Sequence, residues 1–333
     1  MNDLASKIHQ ILASIMVMAL APMAGAQIPA SFQTPMLGYL FDAENRSVRP
    51  ITGIPGSSTI GAPLLLAFTP EAIAFLPDER YAIVSVTENA EAFVVDLRES
   101  TRVPIRGTSS SITAMRTSTR GSAAALYDRV AGRVFLVTGI PDSPVIQGTV
   151  DVSFSDDPLG QFAISDDGAT ALLSFPSAER DSVYVWTAAT GVRHVSTASK
   201  ISDMRFLGED AVVVDSGKNQ IFLMRNVREQ AVPSLIASEV DGLSQPVAVF
   251  ISRRNEIYIG DSSGGVLILD STGHILRKAH CNCTITIMAP LANSALRLTD
   301  RIDQPVFMMD GSESDRFLFI PALSARGTQE GAR

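Results

Sequence analysis

The sequence predicts an all-β chain folded as a single β-propeller of about seven four-stranded blades. Three observations predict it. A strand–turn–strand unit recurs seven times. Its spacing is close to the length of one blade. A second hairpin precedes the unit in six of the seven cases.

The recurring unit is a short apolar run, a polar or Gly-containing turn, and a second short run, which is the signature of a β-hairpin. It reads "LGYLFDAENRSVRPI" from Leu37, "AEAFVVDLRESTRVPI" from Ala90, "DSVYVWTAATGVRHVS" from Asp181 and "GGVLILDSTGHILRKA" from Gly264. Looser copies start at Gly132, Asn219 and Gln304. The first run ends at Asp42, Asp96, Thr138, Thr187, Arg225, Asp270 and Asp310, in steps of 54, 42, 49, 38, 45 and 40 residues. Periods of about 40–50 residues, with four strands each, mark propeller blades. The upstream hairpins start at Ala72, Phe162, Ile201 and Pro246, with looser versions at Ile112 and Ile285. These are expected to be strands a and b of each blade, and the seven recurring hairpins strands c and d. The hairpin at Leu37–Ile51 has no upstream pair. It is expected either to complete a partial seventh blade beside the C-terminal one or, alternatively, to hang as an appendage on six blades. Joining the two chain ends removes unpaired sheet edges, which favours seven.

"NEIYIGDSSGGVLILDSTGHIL" (Asn255–Leu276) and "AVVVDSGKNQIFLM" (Ala211–Met224) carry a line of hydrophobic strand, Asp-Ser-Gly turn and hydrophobic strand. In this the chain resembles the β-propeller repeats of the NHL and YVTN kind. The resemblance implies a fold and leaves the activity open, because such propellers serve unrelated functions.

Gly260-Asp261-Ser262-Ser263-Gly264 also fits the G-x-S-x-G pattern of serine hydrolases. A nucleophile elbow needs a helix after the turn. Here "VLILD" follows, a run whose counterparts read as strands, so the segment is expected to be a b–c hairpin. His194, His274 and His280 fall on separate blades without ligand spacing, and His9 lies near the N-terminus. No phosphate-binding loop or EF-hand pattern occurs. "SDDGAT" (Ser165–Thr170) and "DGSESD" (Asp310–Asp315) group acids with glycine and could touch calcium, although Asp-Gly is ordinary turn chemistry. No cofactor is predicted.

The N-terminus has a lysine, the apolar run "ILASIMVMALA" and Ala24-Gly25-Ala26 before Gln27, the layout of a secretory signal peptide. The expected organisation is a leader over 1–26, a propeller over 27–322 and a disordered tail over 323–333, in a periplasmic or secreted protein. No later segment is long enough to span a membrane. The net charge of -8 argues against nucleic-acid binding, which needs a basic surface. Cys281 and Cys283 are the only cysteines. On a strand, residues i and i+2 stand about 6.5 Å apart, near the limit of disulfide geometry, so a local bridge, free thiols and an intermolecular bridge all stay open.

Ligands of propellers are expected at the d–a and b–c loops. The candidates on b–c loops are Glu88, Asn89, Asp128, Arg129, Lys218, Asn219, Asp261, Ser262, Arg301 and Asp303. The functional expectation is a monomeric binding or interaction scaffold for a protein or carbohydrate partner. The alternative is a propeller enzyme of the lactonase or sugar-acting hydrolase type. It would gather three or more Asp, Glu, Asn or His side chains at one channel mouth.

Overall fold

In the computed structural model, residues 35–87, 91–311 and 315–323 are described. They form seven antiparallel sheets in a ring. Blade 1 holds β1 (Met36–Asp42), β2 (Ser47–Ile54) and β3 (Ser57–Ile60). Blade 2 holds β4 (Ala72–Phe75), β5 (Tyr81–Ser85), β6 (Phe93–Asp96) and β7 (Arg102–Pro104). Blade 3 holds β8 (Ile112–Thr117), β9 (Ala123–Asp128), β10 (Arg133–Thr138) and β11 (Val145–Asp151). Blade 4 holds β12 (Phe162–Ile164), β13 (Thr170–Phe175), β14 (Asp181–Thr187) and β15 (Gly191–Ala198). Blade 5 holds β16 (Ile201–Leu207), β17 (Asp210–Asp215), β18 (Gln220–Arg225) and β19 (Val232–Ala237). Blade 6 holds β20 (Pro246–Ile251), β21 (Ile257–Asp261), β22 (Gly265–Leu269) and β23 (Ile275–His280). Blade 7 holds β24 (Ala289–Pro290), β25 (Ala295–Arg297), β26 (Val306–Asp310) and β27 (Arg316–Ile320).

The alternation of side chains along a strand builds the ring. In β14, Val183 and Val185 face blade 5, where they pack with Met204, Phe206 and Val213. Their neighbours Tyr184 and Trp186 face blade 3, against the layer of Val134 and Leu136. Strand residues of one parity bury against one neighbour and those of the other parity against the next. Seven such apolar layers follow, one between each adjacent pair of blades.

The strand ends sit where the turn chemistry put them. Asp96 closes β6 and accepts the backbone N–H groups of Arg98 (2.9 Å) and Glu99 (3.2 Å). Asp270, one residue past β22, accepts those of Thr272 (2.8 Å) and His274 (3.0 Å). A short acceptor side chain bonded to the backbone two to four residues on is what tightens such a turn.

The first blade departs from expectation in one respect. A third strand, β3, pairs on the outer side of β2 and touches β27. The hairpin therefore sits one place further in than a c–d pair. Its inner strand lines the channel through Tyr39, and no strand lies inside it among the described residues. Leu40 packs with Val306, Met308 and Ile320 of blade 7, so the hairpin belongs to the ring.

Blade 7 differs too. Its inner strand is only Ala289–Pro290, and past it the Leu291 N–H still donates to the Ala295 carbonyl at 2.8 Å. Upstream, the N–H groups of Thr286 and Ile287 both point at the Leu298 carbonyl, at 2.9 and 3.2 Å. Cys281 and Cys283 are disulfide-bonded, with Cα atoms 5.2 Å apart. They lie beyond the end of β23 on a bend, which brings them closer than an extended strand would. The segments expected as leader and tail lie outside the described residues, apart from Leu323. No helix among the described residues is long and apolar enough to cross a membrane.

Candidate functional site

Two cavities occupy the centre of the ring. The channel cavity, about 320 Å³, is walled by residues of blades 1, 2, 3, 5 and 7, among them Tyr39, Phe75, Met115, Arg116, Arg205, Met288, Arg297 and Asp300. The mouth cavity, about 420 Å³, opens among the a–b turns of blades 2, 6 and 7, with Arg253, Arg254, Tyr258 and Asn293 on its walls. Glu79 and Pro290 line both, so they form the partition between mouth and channel.

Glu79 stands in the β4–β5 turn with φ of 58°, a left-handed conformation that aims its side chain at blade 1. There no described strand lies inside β1, which leaves room. A Cβ at Gly38 of β1 would collide with the carboxyl and with Leu291, so glycine is what admits the carboxyl. Neither oxygen of the buried carboxyl has a hydrogen-bond partner among the described residues. The nearby Ala292 N–H is directed at the Leu37 carbonyl, 2.8 Å away. Burial pushes the Glu79 pKa up to about 9, against a smaller opposing pull from Arg297. The group is a neutral acid at pH 7.

Three arginines reach the channel from different blades. Arg297 of β25 is 8% exposed and lines the cavity. No described residue hydrogen-bonds its guanidinium or pairs with it within 4.0 Å. Burial lowers its pKa to about 10, with Asp300 and Glu79 drawing it back. Arg116 of β8 donates from Nη2 to Gln161 Oε1 at 2.9 Å, while its buried Nε has no partner among the described residues. Burial lowers its pKa as well, with Asp203 opposing and Arg205 assisting. Arg205 of β16 donates from Nη1 to the Thr117 carbonyl at 3.4 Å and stands 4.0 Å from Asp203. Asp203 itself is fixed by the backbone N–H groups of Met204 (2.9 Å) and Val249 (3.1 Å).

The described b–c loop candidates lie at the opposite end of the ring from the mouth cavity and line neither central cavity. Asp128 accepts Ser109 Oγ at 2.6 Å and Ala131 N at 2.9 Å. Arg129 is exposed on the same turn. The Lys218 N–H is 3.3 Å from Asp215, and Asn219 Oδ1 accepts Gln245 N at 2.7 Å. Asp261 is 2% exposed and holds Ser263 and Gly265. It also borders a shallow cleft with Lys278 and His280. Ser262 bonds to Gln245, and Arg301 pairs with Asp303. Glu88 and Asn89 lie outside the described residues. In "SDDGAT", Asp166 accepts Arg120 N at 2.7 Å, and Asp167 accepts Ser165 Oγ and pairs with Arg228. Part of "DGSESD" lies outside the described residues. Among the described residues, no three His, Cys, Asp or Glu gather as a metal site.

Sequence reading missed the arginines and Glu79. Arg116 and Arg205 lie on the innermost strand of their blades and Arg297 on the second, so no local motif joins them, and "PDER" reads as a solvated turn.

No protein-family model and no curated sequence matches the chain. Among solved structures it is similar to virginiamycin B lyase of Staphylococcus aureus, at 11% identity over 75% of this chain and 83% of that one, with a TM-score of 0.54. It is similar to a streptogramin B lyase structure at 9% identity over 78% and 86%, TM-score 0.56. It is also similar to the hydrazine synthase of Kuenenia stuttgartiensis, at 13% identity over 90% and 99%, TM-score 0.54. At these identities the likeness is one of fold, and the fold is a seven-bladed β-propeller.

Proposed function

We propose that the protein is an exported binding module that takes its ligand through the mouth between the a–b turns of blades 2, 6 and 7 and into the channel beneath. The observation that carries this reading is the pair of cavities sharing the Glu79–Pro290 partition. They form a concave site whose walls mix apolar side chains with convergent charged and polar groups, and a concave pocket of this size is the usual place for a ligand. The b–c face, by contrast, uses Asp128 and Asp261 to hold its own turns.

One observation favours an enzyme as the second reading. Glu79 is a carboxylic acid kept neutral at pH 7, and such a group can donate a proton. The two readings part on turnover. Mixtures of the purified protein with lactone, glycan and peptide fragments, followed by calorimetry and by NMR of the same samples, should show binding without chemical change. Turnover abolished in Glu79→Gln would replace the binding reading with the enzymatic one. Export rests on the Ala24-Gly25-Ala26 pattern. N-terminal sequencing of the mature protein should begin at or near Gln27, and recovery of the Met1 form alone would refute it.

A further inference from the structure

We propose that the channel cavity is a site for a small organic carboxylate, its anionic end held by Arg116, Arg205 and Arg297 and its hydrocarbon laid against Phe75, Met115 and Met288. This inference rests on the binding reading and names the ligand class for that site.

The first support is Arg297. A buried guanidinium without a hydrogen bond is costly, because nothing replaces the water it lost. Asp300 and Glu79 are its closest anionic or acidic neighbours, yet neither comes within ion-pair distance. Arg297 lines the cavity, and its five N–H donors meet no acceptor among the described residues. A guanidinium fork fits a carboxylate with two parallel bonds.

The second support is Arg116, which lines the same cavity while its Nη2 is anchored on Gln161. The anchor fixes the plane of the guanidinium, so the remaining donors are pre-oriented. Arg205 adds a third cation, and Asp203 cannot swing to neutralise more than one of them because two backbone N–H groups hold it.

The third support is the charge balance. Arg116, Arg205 and Arg297 give three positive charges, and Asp203 and Asp300 give two negative ones. Glu79 adds none at pH 7, because burial keeps it protonated. One positive charge is left over for an anionic ligand.

The fourth support is shape. At about 320 Å³ the cavity is too roomy for a lone inorganic ion. Tyr39, Ile73, Phe75, Met115, Ile287 and Met288 supply an apolar wall. A ligand with a hydrocarbon body dries that wall, and phosphate would leave it wet. At the mouth, Arg253 and Arg254 are exposed and have no ion-pair partner among the described residues. Cations at the lip of a cleft draw anions in.

The test uses the full chain with benzoate, hexanoate and inorganic phosphate as probes, read by thermal shift and calorimetry. Benzoate or hexanoate should raise Tm at millimolar concentration, and phosphate should do less. Arg297→Met should lose roughly thirtyfold or more in affinity. The same variant should be at least as stable as the parent without ligand, because it removes an unpaired buried charge, so lost binding cannot be blamed on unfolding. Arg116→Met is the second variant and should weaken binding in the same way. Absence of any carboxylate effect would overturn the proposal. So would an effect that survives both substitutions, or phosphate binding more tightly than either carboxylate. A channel that binds carboxylates and converts them keeps this inference and removes the binding-only reading. A protein that ignores carboxylates but takes another ligand at the mouth does the reverse.

Discussion

At the residue scale, two acids show opposite uses of burial. Asp261 is buried and saturated: its Oδ1 accepts Ser263 N at 2.9 Å, Ser263 Oγ at 2.6 Å and Gly265 N at 2.9 Å. Gly264 takes φ of 98° in the same turn, and a side chain there would strike the Cys281 and Cys283 carbonyls. Asp261→Ala would strand those donors and is expected to cost about 2 kcal/mol, measured by urea unfolding. Ser262→Ala next door should change stability by less than about 0.5 kcal/mol, and a fluorophosphonate probe should not label Ser262. Glu79 is buried and unsatisfied. Its pKa rises from 4.5 unfolded to about 9 folded. Between those values the folded state holds a proton that the unfolded state has released, so stability falls as pH rises through the window. Below pH 4.5 there is no penalty; near pH 7 it is on the order of 3 kcal/mol. Glu79→Gln keeps the shape and removes the titration. The variant should match the parent at pH 4 and exceed it increasingly up to pH 9. Parallel stability profiles for the two proteins would show that Glu79 is ionised in the fold.

At the element scale, the sequence was legible wherever a local rule fixed the outcome. Of the seven residues read as ends of a hairpin's first strand, Asp42, Asp96, Thr138, Thr187, Arg225 and Asp310 end β1, β6, β10, β14, β18 and β26, and Asp270 follows β22 by one position. Turn residues act over two to four positions, so one sequence window contains the whole cause. β3 was not legible. "SSTI" is short and mostly polar, and it becomes a strand only because β2 runs on to Ile54 and offers an edge. The inner strand of blade 7 was misplaced because its ladder breaks upstream, where two successive N–H groups share the Leu298 carbonyl. The candidate site was the least legible part. Its groups come from strands nearly ninety residues apart, as with Thr117 and Arg205, and no spacing rule reaches that far. The hairpin β1–β2 is where element and ring meet. Leu40 is fully buried, and Leu40→Ala should cost about 3 kcal/mol in chemical unfolding. A cost below about 1 kcal/mol, the range of ordinary surface changes, would mean that the hairpin can leave blade 7 freely.

At the scale of the whole molecule, the described first and last blades meet without sharing a sheet. Among the described residues, β27 pairs only with β26, and β1 to β3 pair only among themselves. The closure is a meeting of faces. Leu37, Leu40 and Ile51 meet Leu291, Val306, Met308 and Ile320 on one side. Tyr39 and Val48 meet Ala82, Val84, Phe93 and Val95 on the other. A direct backbone bond crosses from Ala292 N to the Leu37 carbonyl at 2.8 Å. Blade 1 is thus a wedge holding two apolar faces out of water, and each face is part of a neighbour's core. Hydrophobic burial of this kind scales with the area covered, so removing the wedge should cost far more than the stability of three strands. Deleting residues 35–61 is expected to abolish the single cooperative melting transition and to expose apolar surface that binds a hydrophobic dye. The readouts are calorimetry and dye fluorescence on the truncated and full chains. A truncated protein that melts in one transition near the parent's midpoint would show that six blades close by themselves and that the first is an appendage.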